Sequence, residues 1–443
     1  MERVLDWTPQ PPYTAEQLLQ VIRILRDPEN GCPWDKVQTH ASIRKNFLEE
    51  TCEVLEAIDA DDPAMLREEL GDVLMQVAFH AVIEEERGHF TFEDVFHGRL
   101  FKDNQVSKVF CLWLDKKYGG RELDMLYSIV YGEELSKRGL NGVLTRLSSD
   151  TVAPYIYAHG TEAQKEKYLP GVASGDTCIC ICMTEAEHGS DLAHIETSAV
   201  KDGKGNYIVN GGKIYISNGM VSDYAIVAVV TNPNAEKPHK GISLLIIPTD
   251  APGFERKLLN KIGLNSQDTS EYIFHDVVVP EENLLGEENR GFYYLMQHLE
   301  KERLMGSWGT LGMAEYAFEL CVQRANERLV AGKPLGAYQH WQFEIAKAAA
   351  ELDQARSYVE HLTMLFMAGE SVNTQVSIAK YATSELAYKI SDLGVQIWGG
   401  PGILRENAIA RQFVDTRHYR LMAGTSEVQL GIIAKAIGLG KKK

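Results

Sequence analysis

The chain has 443 residues, 44% of them hydrophobic, with a formal net charge of −17 at pH 7 and seven cysteines. That length supports a large core and more than one folding unit, while the acidic balance disfavours an electrostatic grip on nucleic acid. An odd cysteine count without CxxC spacing argues for reducing surroundings, against a disulfide framework and against a zinc site.

The charge is uneven. Residues 1–97 hold 21 acidic against 8 basic side chains, leaving 41 against 37 for the remainder. Two unlike modules are expected, the first suited to a divalent cation. No run of about 18 apolar residues occurs, and Glu2, Asp6 and Glu16 stand where a secretory leader carries positive charge. A soluble, cytoplasmic protein without membrane insertion is expected.

In chain order, Leu18, Leu19, Ile22 and Leu25 repeat at helical spacing, as do Leu48, Cys52, Leu55 and Ile58, then Leu70, Val73, Leu74, Val77 and Ala81. Breaks fall between Asp27 and Asp35, at Asp61-Asp62-Pro63, and at Gly88. Residues 105–170 stay helical, with a break at Tyr118-Gly119-Gly120 and a closing turn at Ser174-Gly175-Asp176. Between about 177 and 280 the pattern changes. Tyr207–Val209, Ala225–Val230, Ile242–Ile247 and Tyr272–Val279 are β-branched or aromatic runs separated by turn residues, which predicts a β domain. Cys178, Cys180 and Cys182 alternate, so a strand there points all three to one face as small core residues. Helical patterns return over 292–330, 338–369, 372–398 and 424–438.

Physical patterning alone gives helices, strands, then helices, without a reaction. Five local signatures add one. They are Met183-Thr184-Glu185 with Gly189-Ser190-Asp191; Asn210-Gly211-Gly212-Lys213 with Tyr215 and Ser217; Arg328 with Gly332-Lys333-Pro334-Leu335 and Gln339; Gln396 with Gly399-Gly400-Pro401-Gly402; and Gly424-Thr425-Ser426-Glu427. In this order and spacing the segment from about 105 to the end resembles the acyl-CoA dehydrogenases. The resemblance implies FAD as cofactor, held by Met183, Thr184, Tyr215, Ser217, Arg328, Gln339, Gln396, Gly399, Gly400, Thr425 and Glu427, with Arg328 reaching a neighbouring subunit's cofactor. It also implies an acyl-CoA substrate against Gly189, Ser190 and Gly424, electron-transfer flavoprotein as electron acceptor, and a homotetramer or homodimer. Tyr215 and Ser217 stand where many relatives have Trp and Thr, keeping an aromatic face and a hydroxyl. Ala331 replaces the usual Phe of the third signature.

The reaction such relatives perform removes the α-proton of a thioester, which needs a carboxylate in a dry pocket. Many family members carry it just before the Gly-Thr of the last signature. Here that residue is Ala423. Leu299-Glu300-Lys301-Glu302-Arg303-Leu304 instead resembles the isovaleryl-CoA and long-chain members, whose Glu lies on an earlier helix. The resemblance assigns Glu302 as base and Arg303 as a binder of the CoA arm, with a medium, long or branched acyl chain.

Residues 14–104 carry Gly31-Cys32-Pro33-Trp34-Asp35-Lys36, then Leu48-Glu49-Glu50-Thr51-Cys52-Glu53 and Arg67-Glu68-Glu69-Leu70-Gly71-Asp72. This segment resembles the MazG-type nucleoside triphosphate pyrophosphohydrolases. Glu50 and Glu53, like Glu69 and Asp72, are three apart on a predicted helix, so two packed helices form a carboxylate cup for magnesium, with Glu49 completing the family pattern.

The expected architecture is multidomain α and β: an all-α MazG-like module over 1–104, a partial N-terminal helical part over 105–175, a middle β domain over 176–285 and a C-terminal helical bundle over 286–443. Alternatives to acyl-CoA dehydrogenation are a magnesium-dependent nucleotide pyrophosphohydrolase on a flavoprotein scaffold, or a catalytically silent flavin-bound assembly protein.

Overall fold

The computed structural model describes residues 15–88, 92, 109–143 and 146–440. The chain divides into two compact units, Met1–Val106 and Ser107–Lys443.

In the first unit three helices are described: α1 (Ala15–Leu25), α2 (Arg44–Asp59) and α3 (Pro63–Glu86). The Asp62 side chain accepts the backbone N–H groups of Ala64 and Met65, and Pro63 fills the first turn, so α3 starts at the Asp-Asp-Pro break. Leu19, Ile22, Ile43, Ala78, Phe79 and Val82 pack as the core. Buried Arg26 donates to the Glu86 carboxylate at 2.6 and 2.7 Å and to the carbonyl oxygens of Asp35 and Gln38, which pins the Cys-Pro-Trp-Asp loop to the end of α3. Leu48, Leu55, Ile58, Leu70 and Leu74, periodic in the sequence, remain exposed. The last part of the MazG-like segment, 92–104, falls outside the described residues apart from Phe92.

The second unit begins with helices. After a turn closed by Gly119 in the left-handed region come α4 (Met125–Lys137), a π-helical turn over Leu147–Val152, α5 (Ala153–His159) and α6 (Glu162–Ser174). Thr161 and Gln164 form a reciprocal cap at the start of α6.

Eight strands follow: β1 (Ile179–Cys182), β2 (Ser198–Lys201), β3 (Asn206–Ser217), β4 (Tyr224–Val230), β5 (Ile242–Pro248), β6 (Phe254–Leu258), β7 (Thr269–Pro280) and β8 (Leu284–Leu285). Their order is 6-7-3-2-4-5-8, with β1 lying parallel to β4. Both faces of β4 are covered. Ile226 and Ala228 join Leu244, Ile246, Tyr155 and Leu169, while Val227 and Val229 join Leu245, Tyr272 and Phe274. That double burial explains the continuous apolar run of β4. Cys180 and Cys182 share the second face, their sulfurs 3.8 Å apart, and all seven cysteines are free thiols. The polar β6, Phe-Glu-Arg-Lys-Leu, is an edge strand that no apolar alternation signals.

The C-terminal helices are α7 (Gly291–Glu327), α8 (Gln339–Met367), α9 (Asn373–Trp398), α10 (Ala408–Tyr419) and α11 (Ser426–Ala436). Leu304, Trp308 and Leu311 of α7 pack with Leu352 and Val359 of α8, Val376 and Ala387 of α9, and Ile409 of α10. Each buried side chain of this size contributes roughly 1.5–3 kcal/mol. Sequence periodicity carries the first of these helices to residue 330, but the structure ends it at Glu327. There Leu329–Val330 (β9) and Lys333–Pro334 (β10) form a hairpin through Ala331 and Gly332, both at positive φ. Helix α10 has no counterpart in the expected elements. Two of its three buried residues, Gln412 and Thr416, are polar, so it shows no apolar stripe.

Candidate active site

Helix α7 carries Glu302, whose carboxylate accepts a hydrogen bond from the Tyr155 hydroxyl of α5 at 2.8 Å. Tyr155 has no solvent exposure. One turn before Glu302, His298 lies against the Tyr155 ring with centroids 4.1 Å apart, and its Nε2 is 3.2 Å from Nε2 of His159. Burial pushes the Glu302 carboxyl up to about 7, against the opposing pull of the Tyr155 bond and of Arg303 and Lys301. Burial also holds His298 down to about 4, with His159 and Lys301 adding to the effect, so His298 is neutral at pH 7.

The neighbours of Glu302 point elsewhere. Lys301 lies 5.2 Å from the centre of the Trp113 ring. Arg303 is buried against the bundle, its guanidinium 3.5 Å from Ser377 Oγ, and its Nε has no hydrogen-bond partner among the described residues. Near Arg303, Lys380 donates to the carbonyl oxygens of Tyr419 at 2.8 Å and Gly424 at 2.7 Å. Burial, then the charge of Arg303, holds Lys380 down to about 8. Ala423 and Gly424 both have positive φ, and Thr425 caps α11 by accepting the Val428 N–H at 3.2 Å. Glu427 is exposed on the first turn of that helix.

A second group forms on the sheet. The Lys213 ammonium of β3, fully buried, donates to Glu185 at 2.7 Å and to the Met183 carbonyl at 3.0 Å, while Glu185 also accepts the N–H groups of Glu196 and Thr197. Thr184 is tied to the same strand, its carbonyl accepting the Ile214 N–H at 2.9 Å. A register shift between Lys213 and Ile216 puts Tyr215 at φ 62° and leaves it 64% exposed. Ser217 Oγ accepts from Gln267 Nε2 at 2.6 Å, and Gln267 Oε1 has no partner among the described residues. Gly189 and Ser190 are exposed beyond this loop.

A third group pairs the hairpin with the end of α9. Arg328 donates to the Ile397 carbonyl at 2.7 Å, and its guanidinium covers the backbone of Gly399, which has φ 70° and ψ −139°. Gln396 and Gly400 flank this contact, and Gln339 opens α8; all three are exposed. A Cβ at Gly399 would sit 2.8 Å from Arg328, whereas one at Gly400 meets nothing within 4 Å. Gly399→Ala is therefore expected to lower stability by about 1–3 kcal/mol, and Gly400→Ala by far less, in parallel thermal melts.

Sequence reasoning gave no role to Tyr155, His298 or Lys380, and quoted Lys213 only as part of the second signature. For His298 the signal was its four-residue spacing from Glu302. For Lys213 it was one cation between apolar residues of a strand. Tyr155 and Lys380 carried none, since their partners come from distant elements.

In the first unit a carboxylate oxygen from each of Glu50, Glu69 and Asp72 lies within 4.8 Å of the others. Desolvation first, then the charges of Asp72 and Glu53, raises Glu50; desolvation, then Glu53, raises Glu69. Glu49 stands apart from this group, paired with Lys45 at 2.9 Å.

Residues 180–277 match the acyl-CoA dehydrogenase middle domain and residues 289–438 the acyl-CoA dehydrogenase C-terminal domain. Over 373 residues the chain is 35% identical to the long-chain specific acyl-CoA dehydrogenase of Rattus norvegicus mitochondria, covering 81% of this chain and 86% of the relative. The solved acyl-CoA dehydrogenase of Geobacillus kaustophilus superposes with a TM-score of 0.73 at 41% identity, covering 78% of this chain and 93% of that one. A glutaryl-CoA dehydrogenase from Mycobacterium smegmatis, solved in complex with FADH2, superposes with a TM-score of 0.71 at 28% identity, covering 78% and 87%. The chain belongs to the acyl-CoA dehydrogenase family, oxidoreductases acting on acyl-CoA. Residues 38–109 match the MazG nucleotide pyrophosphohydrolase domain. Among the described residues no helix is long and apolar enough to cross a membrane.

Proposed function

We propose that this chain is an FAD-dependent dehydrogenase that converts an acyl-CoA thioester to the trans-2-enoyl-CoA, with Glu302 taking the α-proton. The observation that carries this reading is the state of Glu302. It is a partly buried carboxyl whose proton affinity is raised to about 7, while the alternative position beside Gly424 offers only the Ala423 methyl. A base whose own pKa lies near working pH is matched to proton abstraction.

The residues present suit a flavin. Tyr215 offers an exposed aromatic face held by strained backbone, Ser217 and Gln267 Oε1, which has no partner among the described residues, offer polar contacts beside it, and Gly399 gives bare backbone under Arg328. Met183 and Thr184, Gln339, Gln396, Gly400, Thr425 and Glu427 complete the proposed cofactor set. When bound, the flavin accepts the β-hydrogen as hydride. Gly189, Ser190, Arg303 and Gly424 are the proposed thioester and CoA contacts. The relocated base and the long-chain name of the rat relative support a medium, long or branched acyl chain, and the family resemblance supports electron-transfer flavoprotein as acceptor.

Anaerobic bleaching tests the reading through its pH dependence. Only ionised Glu302 accepts a proton, so the rate constant is expected to fall below about pH 7, tenfold for each further unit. An acid limb that stays in the ordinary carboxylate range would remove Glu302 from the role.

For the first unit, Glu50, Glu69 and Asp72 are the residues that would hold a magnesium ion, which would supply charge to a triphosphate and activate water. The extent of the dehydrogenase relatives weighs against nucleotide hydrolysis as the main work of the chain.

A further inference from the structure

We infer that Tyr155 is the positioning residue for Glu302, holding the carboxylate in one rotamer and in its ionised form through a buried hydroxyl donor. This rests on the reading of Glu302 as base. Tyr155 comes from α5, at the far end of a 147-residue sequence separation, and among the described residues no other side chain bonds to either Glu302 oxygen. Its hydroxyl has no solvent exposure, so without Glu302 it would be a desolvated donor. The ring is fixed on its other side by His298, which is itself held at the His159 nitrogen, and His159 stacks on Tyr294 at 4.0 Å. A carboxylate with one oxygen tethered this way, and the other without a partner among the described residues, presents one defined oxygen to a substrate.

The charged and titratable groups around the pair come from several elements. On α7 itself these are His298, Glu300, Lys301 and Arg303. Across from them stand His159 at the end of α5, Asp150 of the π-helical turn, Cys111, Arg146 and, behind Arg303, Lys380 of α9. Lys301 faces Asp150, Cys111 and Arg146, and Arg303 faces Ser377, so neither cation is bonded to the carboxylate. Among these, the Tyr155 hydroxyl is the direct hydrogen-bonding stabiliser of the ionised form.

Tyr155→Phe removes the donor and keeps the ring. In the full-length flavoprotein the acid limb of the bleaching rate is expected to move up by about one pH unit, with a loss of about fivefold at pH 7 that is largely recovered at high pH. A purely structural role predicts a loss equal at every pH. Site-specific 3,5-difluorotyrosine at 155 covers the case in which the Phe variant does not fold: a more acidic hydroxyl of nearly the same shape is expected to move the limb down. An acid limb unmoved in both variants overturns the inference, provided Glu302→Gln is inactive. If Glu302→Gln still bleaches, it is the assignment of the base that fails, and the two outcomes are thereby separated.

Discussion

Glu302→Gln is expected to keep its yellow colour and lose anaerobic bleaching by an acyl-CoA by more than about a hundredfold, the contribution of a positioned base. The amide has the carboxylate's shape and still accepts from Tyr155 at the oxygen now 2.8 Å away, so the fold around α5 and α7 has no reason to change. Stability is expected to respond in the opposite direction from activity. A carboxyl whose pKa is raised in the folded chain contributes its full stability below the ordinary carboxylate range and loses it as pH climbs toward about 7. The Gln variant has no such loss and is expected to melt at or above the parent at pH 8. A group that destabilises the fold in the protonation state that the chemistry requires is what a dedicated base looks like.

Lys213→Met is expected to carry the largest cost to folding, about 3–5 kcal/mol, because it leaves the Glu185 carboxylate buried with its cation gone. Two backbone donors at Glu185 remain, from Glu196 and Thr197, but they do not replace a full charge. The same substitution releases the Met183 carbonyl, so the loop bearing Met183 and Thr184 keeps only the Ile214 N–H bond to the Thr184 carbonyl as its tie to β3. A lowered melting temperature together with weakened flavin retention is the expected pair of results. Replacing both partners, Lys213→Met with Glu185→Leu, is expected to recover part of the stability, since no charge is then left buried. Equal melting of Lys213→Met and the parent would mean the ion pair is not the clamp of this loop.

The parts of the fold that were legible in the sequence are those whose signal is local. The Asp62-Pro63 start of α3, the β-branched runs inside β3, β4, β5 and β7, and the alternation of Cys180 and Cys182 all rest on neighbours within a turn or a strand. The β9–β10 hairpin was hidden because Ala331 occupies a positive-φ position where Asn or Gly would have announced a turn. Helix α10 was hidden because two of its three buried residues are Gln412 and Thr416; Gln412 there bonds Asn141 and the Met313 carbonyl, contacts that no periodicity records. Site residues divide in the same way. Motif resemblance pointed to Glu302, Tyr215, Arg328 and Gly399, but the contacts, Tyr155 on Glu302, Arg328 over the Gly399 backbone and Lys213 on Glu185, are created by tertiary proximity. Glu49 illustrates the reverse: one step along α2 from Glu50, it turns about 100° away from the other carboxylates and meets Lys45.

The most direct measurement is rapid anaerobic mixing of the full-length flavoprotein with saturated acyl-CoA thioesters of increasing length and branching, each with and without deuterium at the α-carbon. Bleaching by at least one medium, long or branched thioester, slowed by α-deuteration and abolished in Glu302→Gln, is the predicted result. Colour that persists with every thioester, or bleaching of the same speed in Glu302→Gln, would contradict it.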